Sequence, residues 1–183
     1  MDNKVIKVWD KEFIPYKTRE EIAGEIRHLA GDIKEKNKGK DDIPIMLCAL
    51  HGSIPFTADL VRELDFPLEI ATVKPSSYKG TESTGTVMFE QGLSMSVEGR
   101  RVFILEDIID TGITLEALIK LLKRKRAKEV HVYSLLFKPE AFKVKIDLPL
   151  NVGFAIPNYF VLGYGMDYDG LGRNLPDLYR LKD

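Results

Sequence analysis

The chain has 183 residues, 44% of them hydrophobic and 30% charged, which is enough to bury the core of one well-packed domain and too few for two comfortable ones. Its 27 Lys plus Arg nearly balance 28 Asp plus Glu, for a formal net charge of -1, so no global basic surface draws it onto nucleic acid or an anionic membrane. A single cysteine excludes an intrachain disulfide, no apolar run approaches the length of a membrane span, and MDNKVIKVWDKEF lacks the apolar core of a signal peptide; the expected location is cytoplasmic.

Residues 5–9, VIKVW, suit a short strand. Thr18 followed three residues later by Glu21 forms a capping box, and Ile22, Ile26, Leu29 and Ile33 then recur on one helical face. Lys34 to Asp42 reads as a polar loop. IPIMLCAL, residues 43–50, is a buried strand, with Cys48 as an ordinary core residue. Ser53 then fits the N-cap of a second helix. LEIATVK (68–74) is another strand, followed by the polar stretch PSSYKGTESTG and a hairpin arm, TVMFEQG. RVFIL (101–105), LEALIKLL (115–122), EVHVYSLL (129–136) and VGFAIP (152–157) complete a strand, helix, strand, strand series. This alternation predicts an α/β domain built on a mostly parallel sheet, because continuous apolar strands need cover on both faces. KRKR at 123–126 suits the solvated C-terminus of a helix. His28, His51 and His131 have no metal-ligand spacing.

The stretch VFILEDIIDTGIT, residues 102–114, concentrates the chemistry. Read as a strand ending at Glu106 and a helix beginning near Thr114, it places a loop at the carboxyl edge of the sheet, where ligands bind in such folds. Gly112 permits a tight turn, and Thr111 and Thr114 set hydroxyls beside helix-start N–H groups, an arrangement suited to a phosphate monoester. Glu106 and Asp107 cannot share one face of a regular strand, but splayed at its end they suit a vicinal diol or a hard metal ion. Asp110, just before the turn, is placed to hold a proton-bearing nitrogen. No P-loop and no G-x-G-x-x-G is present, so a nucleoside triphosphate or dinucleotide has no support.

These residues resemble the 5-phosphoribosyl 1-diphosphate (PRPP) motif of the type I phosphoribosyltransferases, most nearly that of the hypoxanthine-guanine branch. The resemblance covers roughly residues 10 to 180. It implies the family's fold: a mostly parallel twisted sheet flanked by helices, with a small hood from the terminal segments (about 152–183 plus the N-terminal segment) and a lid loop at about 75–92, all in a single 1–183 domain. By the same resemblance Glu106 and Asp107 hold the ribose hydroxyls, the turn Asp110, Thr111, Gly112, Ile113 and Thr114 holds the 5-phosphate, Ile108 and Ile109 join the substrate-binding run, and Asp110 is the general base at N7 of the purine. LCALHGSIPFTADL is similar to the pyrophosphate loop, centred on Leu50, His51 and Gly52. SSYKGTESTG is similar to the lid, with Ser77 and Tyr78 closing over the site. Lys138 matches the lysine at the purine 6-oxygen. Tyr159, Phe160 and Val161 match the base-binding end, Asp167 a magnesium-associated acid, and Arg173 a pyrophosphate-binding arginine.

The implied reaction joins hypoxanthine, and also guanine, to ribose 5-phosphate with release of pyrophosphate. Its cofactor would be Mg²⁺, with Glu106, Asp107 and Asp167 as oxygen ligands, and its assembly a homodimer or homotetramer. Two other readings stay open at this point: a phosphoribosyltransferase for xanthine or another base, and a regulatory protein that keeps the PRPP site as a sensor.

Overall fold

A computed structural model describes residues 5–76 and 88–182, apart from the side chains of Ser76, Met88 and Gln91. The first helix, α1 (Arg19–Asn37), starts where the sequence predicts: Thr18 Oγ1 accepts the Glu21 N–H at 3.1 Å and the Glu21 carboxylate accepts the Thr18 N–H at 2.9 Å. Its buried residues, Ile22, Ile26, Leu29, Ala30 and Ile33, form the expected stripe. A Thr18→Ala variant is expected to lose about 1 kcal/mol of unfolding free energy, seen as a lower urea midpoint at unchanged slope.

The main sheet has six strands: β3 (Ile45–Ala49), β4 (Glu69–Ser76), β5 (Met88–Gln91), β6 (Arg101–Ile109), β7 (Glu129–Phe137) and β8 (Leu150–Ala155), in the order β5-β4-β3-β6-β7-β8. All neighbours are parallel except β5, which pairs antiparallel with β4 as the predicted hairpin arm. Helix α1 and α2 (Ile54–Arg62) pack on one face through Ile22, Ile26, Phe56 and Leu60 against Met46, Phe103 and Leu105. Helix α3 (Ile113–Arg124) covers the other through Leu115, Leu118, Ile119 and Leu122 against Ile45, Leu47, Val102 and Ile104. Cys48 is buried in β3, as expected.

The chain leaves β3 toward β4 and leaves β6 toward β7, in opposite directions. The strand order therefore reverses between β3 and β6, and the crevice beyond their carboxyl ends is where an α/β sheet takes a ligand. A second sheet, the hood, is made from the two ends of the described chain: β1 (Ile6–Val8), β2 (Lys11–Lys17), β9 (Val161–Leu162) and β10 (Leu178–Leu181), in the order β1-β2-β10-β9. Its core is Val8, Phe13, Leu162 and Tyr179, and the Arg19 N–H donates to Asp177 at 2.7 Å to join it to α1.

Three expectations need correction. Strand β6 does not end at Glu106: it keeps pairing with β7 through Ile108↔Leu136 and Ile109↔Phe137, so the two acids lie within the strand. Ser53 does precede α2, but its side chain makes no cap bond; the hydroxyl donates back to the Ala49 carbonyl at 2.7 Å and lies 3.2 Å from Cys48 Sγ. The stretch read as a loop from Lys34 is helical as far as Asn37, where α1 ends. Strands β2, β9 and β10 had no reading in the sequence. Among the described residues, no helix is long and apolar enough to cross a membrane.

Candidate active site

Beyond the ends of β3 and β6 lies a cavity of about 350 Å³, lined by Leu50, His51 and Gly52 from the β3–α2 loop, by residues 106–112, 114 and 115, and by Ala49, Pro75, Asp167 and Arg173. A larger, mostly apolar cavity of about 690 Å³ runs between α1, α2 and residues 173–176. The smaller one gathers the convergent acids and the glycine turn that leads into α3, the polar groups a binding or catalytic site needs, so it is the candidate site.

Glu106 and Asp107 both reach this cavity although they are adjacent. The reason is a break in side-chain alternation: Leu105 packs with the α1–α2 cluster, whereas Ile109, of the same parity, packs with the α3 cluster. Glu106 is only 7% exposed, and burial, then the neighbouring Asp107 charge, hold its carboxyl well above the usual range. Asp107 is pushed up to about 6, mainly by burial, against the lowering pull of the Ile108 and Asp107 N–H groups and of Arg173. Its carboxylate lies against the α-carbon of Gly52, where a β-carbon would fall 1.7 Å from Oδ2. Only glycine admits that approach.

The β6–α3 turn follows. Gly112 is left-handed, with φ 80°, and caps α3; its carbonyl accepts the Glu116 N–H at 2.8 Å. Asp110 Oδ2 is 2.9 Å from Lys138 Nζ, and the lysine side chain is 9% exposed against 48% for the aspartate. Lys138 is therefore a buried cation with its head on Asp110, not a solvated strand-end lysine. The sequence shows no sign of this pair, because 27 residues separate its members. The β3–α2 loop carries a cis peptide between Leu50 and His51.

Asp167 and Arg173, which the resemblance assigns to a metal and to pyrophosphate, bond to each other: Arg173 Nη2 is 2.6 Å from Asp167 Oδ1, and Arg173 Nη1 donates to the Gly165 carbonyl at 2.8 Å. The other Asp167 oxygen accepts the Gly170 N–H at 2.7 Å. Gly165 in turn sits on the β3–α2 loop, where a β-carbon would lie 1.9 Å from the Gly52 carbonyl oxygen.

The residues that the resemblance assigns to the base, Tyr159, Phe160 and Val161, stand in the hood, outside the cavity lining. Phe160 is 44% exposed; its ring meets Tyr168 edge-on at 5.7 Å and lies tilted against Phe13 at 6.1 Å. The Tyr159 ring packs against Tyr16 at 5.7 Å and beneath Arg180. Val161 is buried in β9, an edge strand of the hood. Ile113 also misses the cavity; its N–H donates to Thr111 Oγ1 at 3.4 Å. Ser77 and Tyr78 lie outside the described residues. Among the described residues, no three His, Cys, Asp or Glu side chains gather closely enough to hold a metal alone.

The "Phosphoribosyl transferase domain" family profile matches residues 16–169. The chain belongs to this phosphoribosyl transferase family. Its relatives include the hypoxanthine-guanine phosphoribosyltransferase of Bacillus subtilis, 39% identical over 166 residues that cover 90% of this chain and 91% of the relative. The bifunctional protein TilS/HprT of Listeria monocytogenes is 41% identical over 90% of this chain, and the chain spans 25% of that relative's length. Among solved structures, a hypoxanthine phosphoribosyltransferase from Staphylococcus aureus superposes with a TM-score of 0.85 at 37% identity, covering 92% of this chain and 90% of that one. The type I phosphoribosyltransferase fold, with its parallel sheet and terminal hood, is thus the fold of this chain.

Proposed function

We propose that this protein is a purine salvage phosphoribosyltransferase that converts hypoxanthine and guanine, with PRPP, to the corresponding nucleotides and pyrophosphate, and that residues 1–183 form one catalytic unit. The observation that carries the reading is Lys138 Nζ held 2.9 Å from Asp110 Oδ2 beside a glycine turn, the buried Glu106 and the half-buried Asp107. A 6-oxopurine offers an N7–H donor to Asp110 and an O6 acceptor to Lys138, so it replaces one ion pair with two charge-assisted hydrogen bonds. Adenine presents a 6-amino donor to the lysine and leaves a buried ammonium unmatched, a strong basis for rejection.

Glu106 and Asp107 accept from the ribose hydroxyls, the turn from Asp110 to Thr114 receives the 5-phosphate on its N–H groups, and Phe160 stacks on the base. Leu50, His51, Gly52 and Arg173 border the diphosphate. Purine N9 forms its bond to C1 of the ribose as the C1–O bond to diphosphate breaks, and Asp110 takes the N7 proton. The lid, with Ser77 and Tyr78, keeps water from the cationic sugar centre.

The donor set fits Mg²⁺, which keeps several waters and takes one or two carboxylates plus substrate oxygens. Glu106, Asp107 and Asp167 would hold it. Asp167 has to release Arg173 or bind through water, because both its oxygens are already engaged. When bound, Mg²⁺ neutralises the charge of the leaving diphosphate. The same reading places the protein in the cytosol as a homodimer or homotetramer.

Purified protein, PRPP and Mg²⁺ are to be mixed separately with hypoxanthine, guanine, xanthine, adenine and uracil, and nucleotide formation followed by absorbance. Turnover of hypoxanthine or guanine that stops without Mg²⁺ is the expected result. Turnover of xanthine or uracil alone overturns the base assignment. Binding of PRPP with no turnover of any base points to the sensor.

A further inference from the structure

The turn Asp110–Thr114 has to present its N–H groups in a fixed array, yet a glycine in a left-handed conformation gives it little stiffness of its own. The stiffness comes from the segment that follows β7. Two backbone bonds clasp the turn: the Lys138 N–H donates to the Ile109 carbonyl at 2.9 Å, and the Lys143 N–H donates to the Thr111 carbonyl at 3.0 Å. Between them the chain makes a short 3₁₀ turn, Pro139–Ala141. Side chains then fill the back of the turn. A β-carbon on Gly112 would fall 2.3 Å from Phe142 Cε2 and 2.6 Å from Val144 Cγ2, so the ring and the valine methyl sit where that carbon would be. The Phe142 ring is itself held edge-on by Phe137, with centroids 5.3 Å apart and planes at 83°.

From this packing we propose that Phe142, with Val144 beside it, is a positioning residue for the phosphate turn, and that residues 138–144 act as one strap tying that turn to Lys138. Neither side chain lines the cavity; both act through Gly112. The inference rests on the phosphate role proposed above for the turn. It adds that the strap sets affinity for the 5-phosphate end of a ligand and leaves the diphosphate end alone, since Leu50, His51 and Gly52 belong to a different loop. The strap also gives the Lys138 end and the phosphate end one support, so a disturbance at Phe142 reaches the base-reading lysine through the backbone.

The test is calorimetric binding of two probes, ribose 5-phosphate and magnesium pyrophosphate, to the wild type, Phe142→Ala and Phe142→Leu, together with steady-state kinetics. Phe142→Ala is expected to weaken ribose 5-phosphate by on the order of ten- to a hundredfold and to raise KM for PRPP, while its affinity for pyrophosphate stays at the wild-type value. Phe142→Leu, which restores most of the volume, is expected to recover most of the loss. If Phe142→Ala fails to fold, Val144→Ala takes its place, with a smaller loss of the same selectivity. Equal weakening of both probes, or no change in either, overturns the proposal. A wild type that binds pyrophosphate but not ribose 5-phosphate overturns the phosphate role of the turn itself, and this inference with it.

Discussion

An Asp110→Asn substitution is expected to lower kcat for nucleotide formation by about a hundred- to ten-thousandfold, the range for loss of a positioned general base. Two effects combine. The amide cannot take the N7 proton, and it cannot neutralise Lys138, whose side chain is 9% exposed and whose ammonium lies 2.9 Å from Asp110 Oδ2. KM for PRPP should stay near the wild-type value, because the proposed ribose and phosphate contacts come from other side chains and from main-chain N–H groups that the substitution keeps; a loss confined to kcat marks an interaction made in the transition state. Steady-state kinetics with hypoxanthine at saturating PRPP decides the matter. A variant with wild-type kcat would remove Asp110 from the chemistry and leave the Lys138 pair as a structural tie.

Replacing Asp107 with asparagine is expected to stabilise the free protein while crippling it. Burial raises the Asp107 pKa to about 6, above the usual 3.9 of an unfolded aspartate. The folded state therefore keeps a proton that the unfolded chain has released. This contribution to stability is fully present below about pH 4 and is lost as the pH rises through about 6. By pH 8 the penalty reaches about 3 kcal/mol at 1.36 kcal/mol per unit. An asparagine never ionises, so the melting temperatures of the two proteins should coincide near pH 4 and diverge in the variant's favour by pH 8, without Mg²⁺ or PRPP. At the same pH the variant should bind PRPP about ten- to a hundredfold more weakly, the worth of a charge-assisted bond to the ribose. Thermal melts across this range, paired with PRPP titrations, test both halves. A variant less stable than wild type at pH 8 would show that the carboxylate is held mainly by the N–H groups of Ile108 and Asp107. Buried like charges in a cleft are a familiar cost of a working site.

What the sequence made legible was local. The Thr18–Glu21 box and the stripe from Ile22 to Ile33 are set by neighbours three and four residues apart, and they appear as expected. The parallel strands are readable because burial on both faces demands continuous apolar runs. The failures are long-range. Charged residues disguised the end of β6, whose last bonds come from the parallel partner β7. Strand β2 carries Pro15 and two lysines, and it is held by pairing with residues 178–181, more than 150 positions away. The Asp167–Arg173 pair likewise needs the closely spaced turns at Tyr164–Gly165 and Asp169–Gly170, all four residues having positive φ, to bring acid and base together. The family resemblance supplied residue types for the site, but it did not foretell that Asp110 would hold Lys138.

At Gly52 three distant parts of the chain meet with almost nothing between them: the Asp107 carboxylate rests on the Gly52 α-carbon, and the Gly52 carbonyl rests on the α-carbon of Gly165. Side chains hop between rotamers, and a contact made through them slackens as they do. A main-chain contact has no such play. The hood therefore registers on the sheet like a dowel in a socket, and any fluctuation that lifts Gly165 moves a whole hairpin, with Asp167 and Arg173 aboard, as one piece. In hydrogen exchange, the amides of residues 163–173 would then open together at a common rate instead of fraying one by one.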